Sequence, residues 1–233
     1  MRLQLDWRYV TAFLALTILC GTSHEFAHHF AGAAMCGCFG VKTFNSFDLC
    51  PSCAGNDAAF FVATWAGPLL TYALMWYGAY RLRRGNDAQR QLGFALIFAN
   101  FPVNRMLFVL MGWNDEQYVT RTLFGTTPLG WIVTVLLVYA FTVPPLVVAY
   151  RAIANRRRAL WFAAFFTLPF VYVILFAGFV LEEWLLLRQK VLAQRVIGVP
   201  LLIVAVEIIS LAIYLKFRNA IEQPRPAATV ARS

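Results

Sequence analysis

Residues 9–30, Tyr9 through Phe30, read YVTAFLALTILCGTSHEFAHHF: an apolar stretch of helix length that carries a glutamate and three histidines toward its end. At helical spacing His24 and His28 stand one turn apart on one face, so their imidazoles can share a metal ion while Glu25 leans over a water beside it. His29 points off that face. The chain has 3 His and all of them fall here, which lifts the segment above a chance H-E-x-x-H. From Tyr9 to Gly21 no side chain is charged at neutral pH, so Glu25 lies near or within a bilayer, where an ionisable group needs a partner or a function. The plainer alternative is a polar helix face on which the histidines pair with Glu25.

Working outward, the rest of the chain is equally apolar. Hydrophobic residues make up 61% and charged residues 13% of 233, and the mean hydropathy is +0.64, which excludes an ordinary soluble domain. Apolar runs lie at about 9–31, 58–80, 92–112, 127–150, 159–181 and 196–215, each close to the ~20 residues that cross a bilayer as helix. The reading is an all-α integral membrane protein of about six transmembrane helices. Pro102, Pro169 and the Pro144-Pro145 pair are tolerated there as kinks packed against neighbours. Residues 1–126 form a three-span core with a cysteine loop at 32–57, and 127–217 add three spans. Residues 218–233, with Pro224 and Pro226, read as a disordered cytoplasmic tail. The first stretch reads as a retained span rather than a cleaved signal peptide, because its apolar character resumes at Phe30 and Leu19 is too large to precede a lipidated Cys20.

Fourteen of the 20 basic residues fall on one side of the spans: Arg2, Arg8, Arg81, Arg83, Arg84, Arg90, Arg151, Arg156, Arg157, Arg158, Lys216, Arg218, Arg225 and Arg232. The opposite connections hold Lys42, Arg121, Arg188, Lys190 and Arg195. The positive-inside rule then makes both termini cytoplasmic and turns the first loop outward, in a cytoplasmic (inner) membrane. The net charge of +9 needs no nucleic-acid partner, since its simplest role is orientation against anionic lipid headgroups.

That outward loop carries Cys36, Cys38, Cys50 and Cys53 as C-x-C-x11-C-x2-C. Two disulfides suit an oxidising compartment, and a four-thiolate structural zinc suits the spacing. Cys20 reads as a small buried apolar residue. A hydrolytic zinc needs a third protein ligand. Counting ~1.5 Å per residue from Tyr9 puts His24 about 22 Å and His28 about 28 Å across the first span, in the outer part of the bilayer. Asp115 ends the third span at matching depth. Glu116, Glu182 and Glu183 are the other candidates. Arg105 and Glu207, both inside apolar runs, are each expected to find a partner, and could pair with one another. Asn100 and Asn104 stand one turn apart, able to bridge helices or hold a substrate backbone.

The first-span HEFAH, Ala66-Gly67-Pro68 in the second span and an aspartate closing the third resemble the three-span core of the site-2-protease family of intramembrane zinc metalloproteases. The resemblance covers roughly residues 15–120. It implies Zn2+ held by His24, His28 and Asp115, Glu25 as catalytic base, and a transmembrane protein or peptide as substrate; Gly67 and Pro68 of the second span and, apart from the resemblance, Asn104 are read as substrate-binding or structural residues. The sequence around the aspartate, Asn114-Asp115-Glu116, is not the family's usual one, and the charge pattern turns the site toward the outer face.

The expected function is intramembrane zinc-dependent endopeptidase. Two alternatives stand beside it: a non-proteolytic membrane protein that binds or transports metal, and a glutamate-dependent protease resembling the prenyl-endopeptidases through Glu182-Glu183 and Arg188, the arginine standing one residue too far along. The charge pattern makes a direct prediction. Reporters fused after Arg84 and after Arg158 should report the cytoplasm, and reduced cysteines of the 36–53 loop should label from outside. Labelling from inside would reverse the topology.

Overall fold

The computed structural model describes residues 1–222, and its elements are almost all helical. Helix α1, Trp7–Cys36, starts where the Asp6 carboxylate accepts the Tyr9 amide at 2.8 Å. It stops at Gly37, whose positive φ of 68° turns its N–H back to Ala33. Helix α2, Asp57–Arg84, is capped by Asn56 and runs through Pro68. A capping box of Asn86 and Gln89 opens α3, Asp87–Ala99. Then come α4, Pro102–Met111, α5, Asp115–Phe124, and α6, Pro128–Ala152. Helix α7, Arg158–Tyr172, continues as wider π-type turns over Val173–Arg188. A short antiparallel hairpin, β1 Arg195–Val196 with β2 Val199–Pro200, leads into α8, Leu201–Phe217, and α9, Asn219–Glu222.

Among the described residues, five helical segments are long and apolar enough to cross a membrane: Trp7–Cys36, Asp57–Arg84, Asp87–Phe124, Pro128–Ala152 and Arg158–Arg188. Helix α8 has 17 residues, about 26 Å at the helical rise, and its lead-in at 196–200 is a hairpin rather than the first turn of a span. Large apolar side chains point outward from these segments, among them Leu69, Leu136, Leu168 and Ile208. That suits hydrocarbon as solvent, while helices satisfy their own backbone groups.

The third apolar run is not one helix. Pro102 has no amide proton to give to the preceding turn and its ring disfavours helical geometry in the residue before it. Phe101 accordingly takes a positive φ of 33° and α3 ends at Asn100. A second break at Gly112, φ 73°, separates α4 from α5. Asp115 therefore opens a new helix, capped by Asn114, instead of ending the span's helix. At the other end of the chain residues 219–222 form α9 with Ile221 buried, while the tail from 223 onward lies outside the described residues.

The apolar core joins α1, α2 and α3 through Phe13, Met75, Phe94 and Phe98, with Phe165 of α7 edge-on to the Phe13 and Phe94 rings. Helices α2 and α3 meet at two glycines. A Cβ on Gly78 would stand 2.6 Å from the Gly93 carbonyl, and one on Gly93 would collide with the Gly78 carbonyl and reach 2.9 Å from the Leu82 nitrogen. Close crossings of this kind are how small residues let membrane helices pack. Gly93→Val should therefore destabilise the bundle by roughly 1–3 kcal/mol, read as a lower thermal midpoint in detergent. Leu136→Ala, on an outward face, should leave that midpoint near wild type.

Candidate metal centre

The residues of the motif do converge. His24 Nε2 and His28 Nε2 lie 2.9 Å apart, and Asp115 Oδ2 lies 3.3 Å from the first and 3.7 Å from the second. A tetrahedral ion with bonds of ~2.0–2.1 Å has donor atoms ~3.3 Å from one another, and the three separations bracket that edge. Glu25 Oε1 stands farther off, 4.0 Å from His24 Nε2. Ligand atoms of His24, Glu25 and His28 all fall within 4.8 Å of one another, the arrangement of a group that could hold a metal ion.

Proton positions follow from the partners of the other ring nitrogens. His28 Nδ1 is 2.7 Å from the Ala63 carbonyl, which can only accept, so Nδ1 carries the proton and Nε2 its lone pair. His24 Nδ1 is 3.0 Å from the Thr71 hydroxyl. The Ala63 carbonyl thus fixes the tautomer of His28 and aims its donor atom, while the Thr71 hydroxyl, able to donate or accept, positions the His24 ring without fixing its proton. Two nitrogens and a carboxylate oxygen so close require a proton or a cation between them.

Helix α2 is shaped to admit the rings. Ala63, Gly67 and Thr71 recur every four residues and so share one face, and all three are buried. A Cβ on Gly67 would run into both imidazoles. Pro68 is buried beside it, and Phe47 stacks on the outer side of His28 with centroids 4.5 Å apart at 10°.

Arg105 answers the carboxylate side. Its NH1 donates to Asp115 Oδ2 at 2.8 Å and to Glu116 Oε2 at 3.4 Å, and its NH2 lies 2.8 and 2.6 Å from the two ring nitrogens of His24. Glu116 also accepts from the Tyr72 hydroxyl at 2.5 Å and from Asn114 Nδ2 at 2.7 Å. One guanidinium thus meets two carboxylates, Asp115 and Glu116, and the negative charge left over beside the histidines suits a cation. Arg105 does not pair with Glu207, as its place in the sequence allowed; Glu207 Oε1 is buried without a hydrogen-bond partner.

The other carboxylate candidates stand elsewhere. Glu182 accepts from Thr43 Oγ1 at 3.0 Å and from Asn45 Nδ2 at 2.7 Å, and Glu183 pairs with Arg188 at 3.1 Å. Their hydrogen bonds go to the loop after α1 and to their own segment, and neither is brought to the histidine pair. His29 turns away to the Ile197 carbonyl at 2.9 Å. The four loop cysteines form two disulfides, Cys36–Cys53 and Cys38–Cys50, the first of the two states their spacing allows.

A cavity of about 590 Å³ opens onto the centre, with His24, Glu25, Asn104, Arg105 and Asp115 along one side and the Ala177-Gly178 stretch along another. Asn100 takes no part, donating to the Leu96 carbonyl at 2.8 Å. Lys42, fully buried in the loop, holds its ammonium 4.4 Å over the Phe26 ring and 3.0 Å from the Thr43 carbonyl. Burial pushes its pKa down to about 8, with the carboxylates of Glu25, Glu207 and Glu182 pulling the other way.

No family model, curated protein or solved structure matches the chain. The reading of the site therefore rests on its geometry. Sequence inspection did not assign Ala63, Thr71, Tyr72 or Phe47; the four-residue spacing of Ala63, Gly67 and Thr71 was the available sign for the first two. Because only hydrogen fits at Gly67, Gly67→Ala should push the two rings apart and weaken metal binding at least about tenfold, measured by titration of purified protein with zinc. The helical content should not change.

Proposed function

We propose that the chain is an intramembrane zinc-dependent endopeptidase that cuts membrane-embedded or membrane-proximal peptide segments, a divergent relative of the site-2-protease family. The observation that carries this reading is the convergence of His24 Nε2, His28 Nε2 and Asp115 Oδ2, with a free carboxylate, Glu25, beside them. In this reading α8 counts as a sixth span, both termini are cytoplasmic and the centre faces outward.

His24, His28 and Asp115 would hold the ion. Zinc bound there supplies Lewis-acid polarisation of a water and of a carbonyl. Glu25 takes the proton of that water and returns it to the leaving amine. Arg105 holds Asp115 in place while also touching His24, and Asn104, which lines the cavity, is available to a substrate peptide group. A substrate helix must unwind locally, because its own hydrogen bonds occupy its carbonyls.

Arg105 also favours a second reading. A guanidinium within 2.6–2.8 Å of both His24 nitrogens competes with a metal for them, which suits a site that exchanges its ion, as a carrier does. Glu25 separates the two. In the peptidase, Glu25→Gln keeps its zinc and loses turnover of an apolar peptide by at least about a hundredfold. His24→Ala and His28→Ala lose the metal, and Asp115→Asn weakens it, all by elemental analysis of purified protein. Equal zinc in wild type and all the histidine variants would overturn the site. A Glu25→Gln protein that alters affinity or transport but never had turnover to lose would favour the carrier.

A further inference from the structure

We propose that the loop between α1 and α2 is a redox-sensitive lid, held shut on the metal centre by its two disulfides. Its stem is cross-linked twice, at Cys36–Cys53 and at Cys38–Cys50, closing loops of 17 and 12 residues in sequence separation. Its tip, residues 41–48, reaches His28, the cavity and the segments beside them. Phe47 covers His28 face to face, and His28 is left 1% exposed. The Lys42 amide donates to Gly198 beside the hairpin at 3.1 Å. Thr43 and Asn45 hold Glu182 of the π-type segment, and Phe44 and Asn45 line the cavity itself.

The tip is seated by its side chains, with Lys42 and Phe44 buried and Phe44 packed on Leu181, Val199 and Ile203, and the cross-links hold its two ends at the spacing that this seat requires. Within it the backbone closes through the Thr43 amide to Ser46 and the Asp48 amide to Val41, and a surface loop of this length opens locally at a lower cost than the helices that carry it. A cross-link removes alternatives from the open ensemble and so favours the closed one. The cross-links are also within reach of a reductant: Cys36 and Cys38 are half-buried while their partners Cys53 and Cys50 are buried. A dithiol supplies the electrons. One of its thiolates attacks the Sγ of Cys38 or Cys36, breaking the S–S bond and releasing the partner thiolate, which takes a proton. Its second thiol then resolves the mixed disulfide and leaves as a cyclic disulfide, so that each staple gains two electrons and two protons. Four thiols remain on the loop, and Phe47 is free to leave His28.

The opening of the loop stands on these contacts alone, whereas its effect on turnover rests on the peptidase reading above. The test uses full-length protein in lipid nanodiscs, oxidised or reduced with a small-molecule dithiol, with thiol counts confirming complete reduction. Hydrogen–deuterium exchange is read over 41–48 and over α2 and α8. Reduction should raise exchange in 41–48 at least about tenfold while the two helices stay protected, and retained zinc after dialysis should fall. The Cys38→Ser/Cys50→Ser protein should show the same exchange without reductant, and Phe47→Ala should lose zinc retention with both disulfides intact. Unchanged exchange in 41–48 after full reduction would overturn the lid, and increased exchange with unchanged zinc retention would overturn its hold on the centre. Neither outcome depends on whether a peptide is cut.

Discussion

A charged group inside an apolar bundle has no water to fall back on, and the whole centre is arranged around that constraint. Arg105 is 6% exposed and Glu116 2%. Breaking a buried ion pair by removing one partner costs about 3–5 kcal/mol, whereas an interhelical hydrogen bond such as that between His24 and Thr71 contributes ~0.6–1.7 kcal/mol. The ion pairing, being the stronger of the two, decides the geometry: α4 and α5 are placed so that Arg105 meets both acids, and the histidines are then fitted against them. The Tyr72 hydroxyl and the Asn114 amide fill acceptor positions on Glu116 that the guanidinium leaves open.

Two local irregularities make that placement possible. The Asn100–Pro102 break ends α3 and lets α4 start in a new direction, and the Gly112 break lets α5 begin with Asp115 and Glu116 in its first turn. Carboxylates there face the unpaired amides and the positive end of the helix dipole, so the acids are favoured by the very helix that carries them. A continuous third helix would instead have put Asp115 near a carboxyl-terminal end, where the dipole opposes a negative charge. The broken backbone is the more stable way to bring two acids to the histidines.

Much of this was legible in the sequence and some of it was not. The helix-length apolar runs came through because hydropathy reports transfer into lipid directly, and five of the six stretches form helical segments of membrane length. The pairing of His24 with His28 was legible because i and i+4 share a helix face whatever surrounds them. Asp115 joins them in space, although the depth argument that pointed to it treats as straight a segment that is broken twice. Arg105 could not be assigned its partners, because its contacts to Asp115 and Glu116, ten and eleven residues on, cross the break at Gly112. Helix α8 starts later than its apolar run because Ile197 and Val199 are apolar without being helical; Gly198, at φ 79°, turns the chain between them.

The two sides of the cavity differ in how firmly they are held. The histidines belong to α1, which lies against α2 along the Gly67 face and packs with it on α3 in the apolar core, and Asp115 comes from α5. The opposite side, Arg158–Arg188, has only 22% of its most apolar stretch buried, against 39% or more in the other four segments. Its fixed points are the buried Phe165 ring against Phe13 and Phe94, the Phe108–Phe170 ring contact, and Glu182 on the loop at the far end. Between them the wall is small, at Ala177 and Gly178, and a Cβ on Gly178 would meet its nearest neighbour only at 3.7 Å. The wall therefore has room at its middle, while its ends stay tied to α4 through Phe108 and to the loop through Glu182.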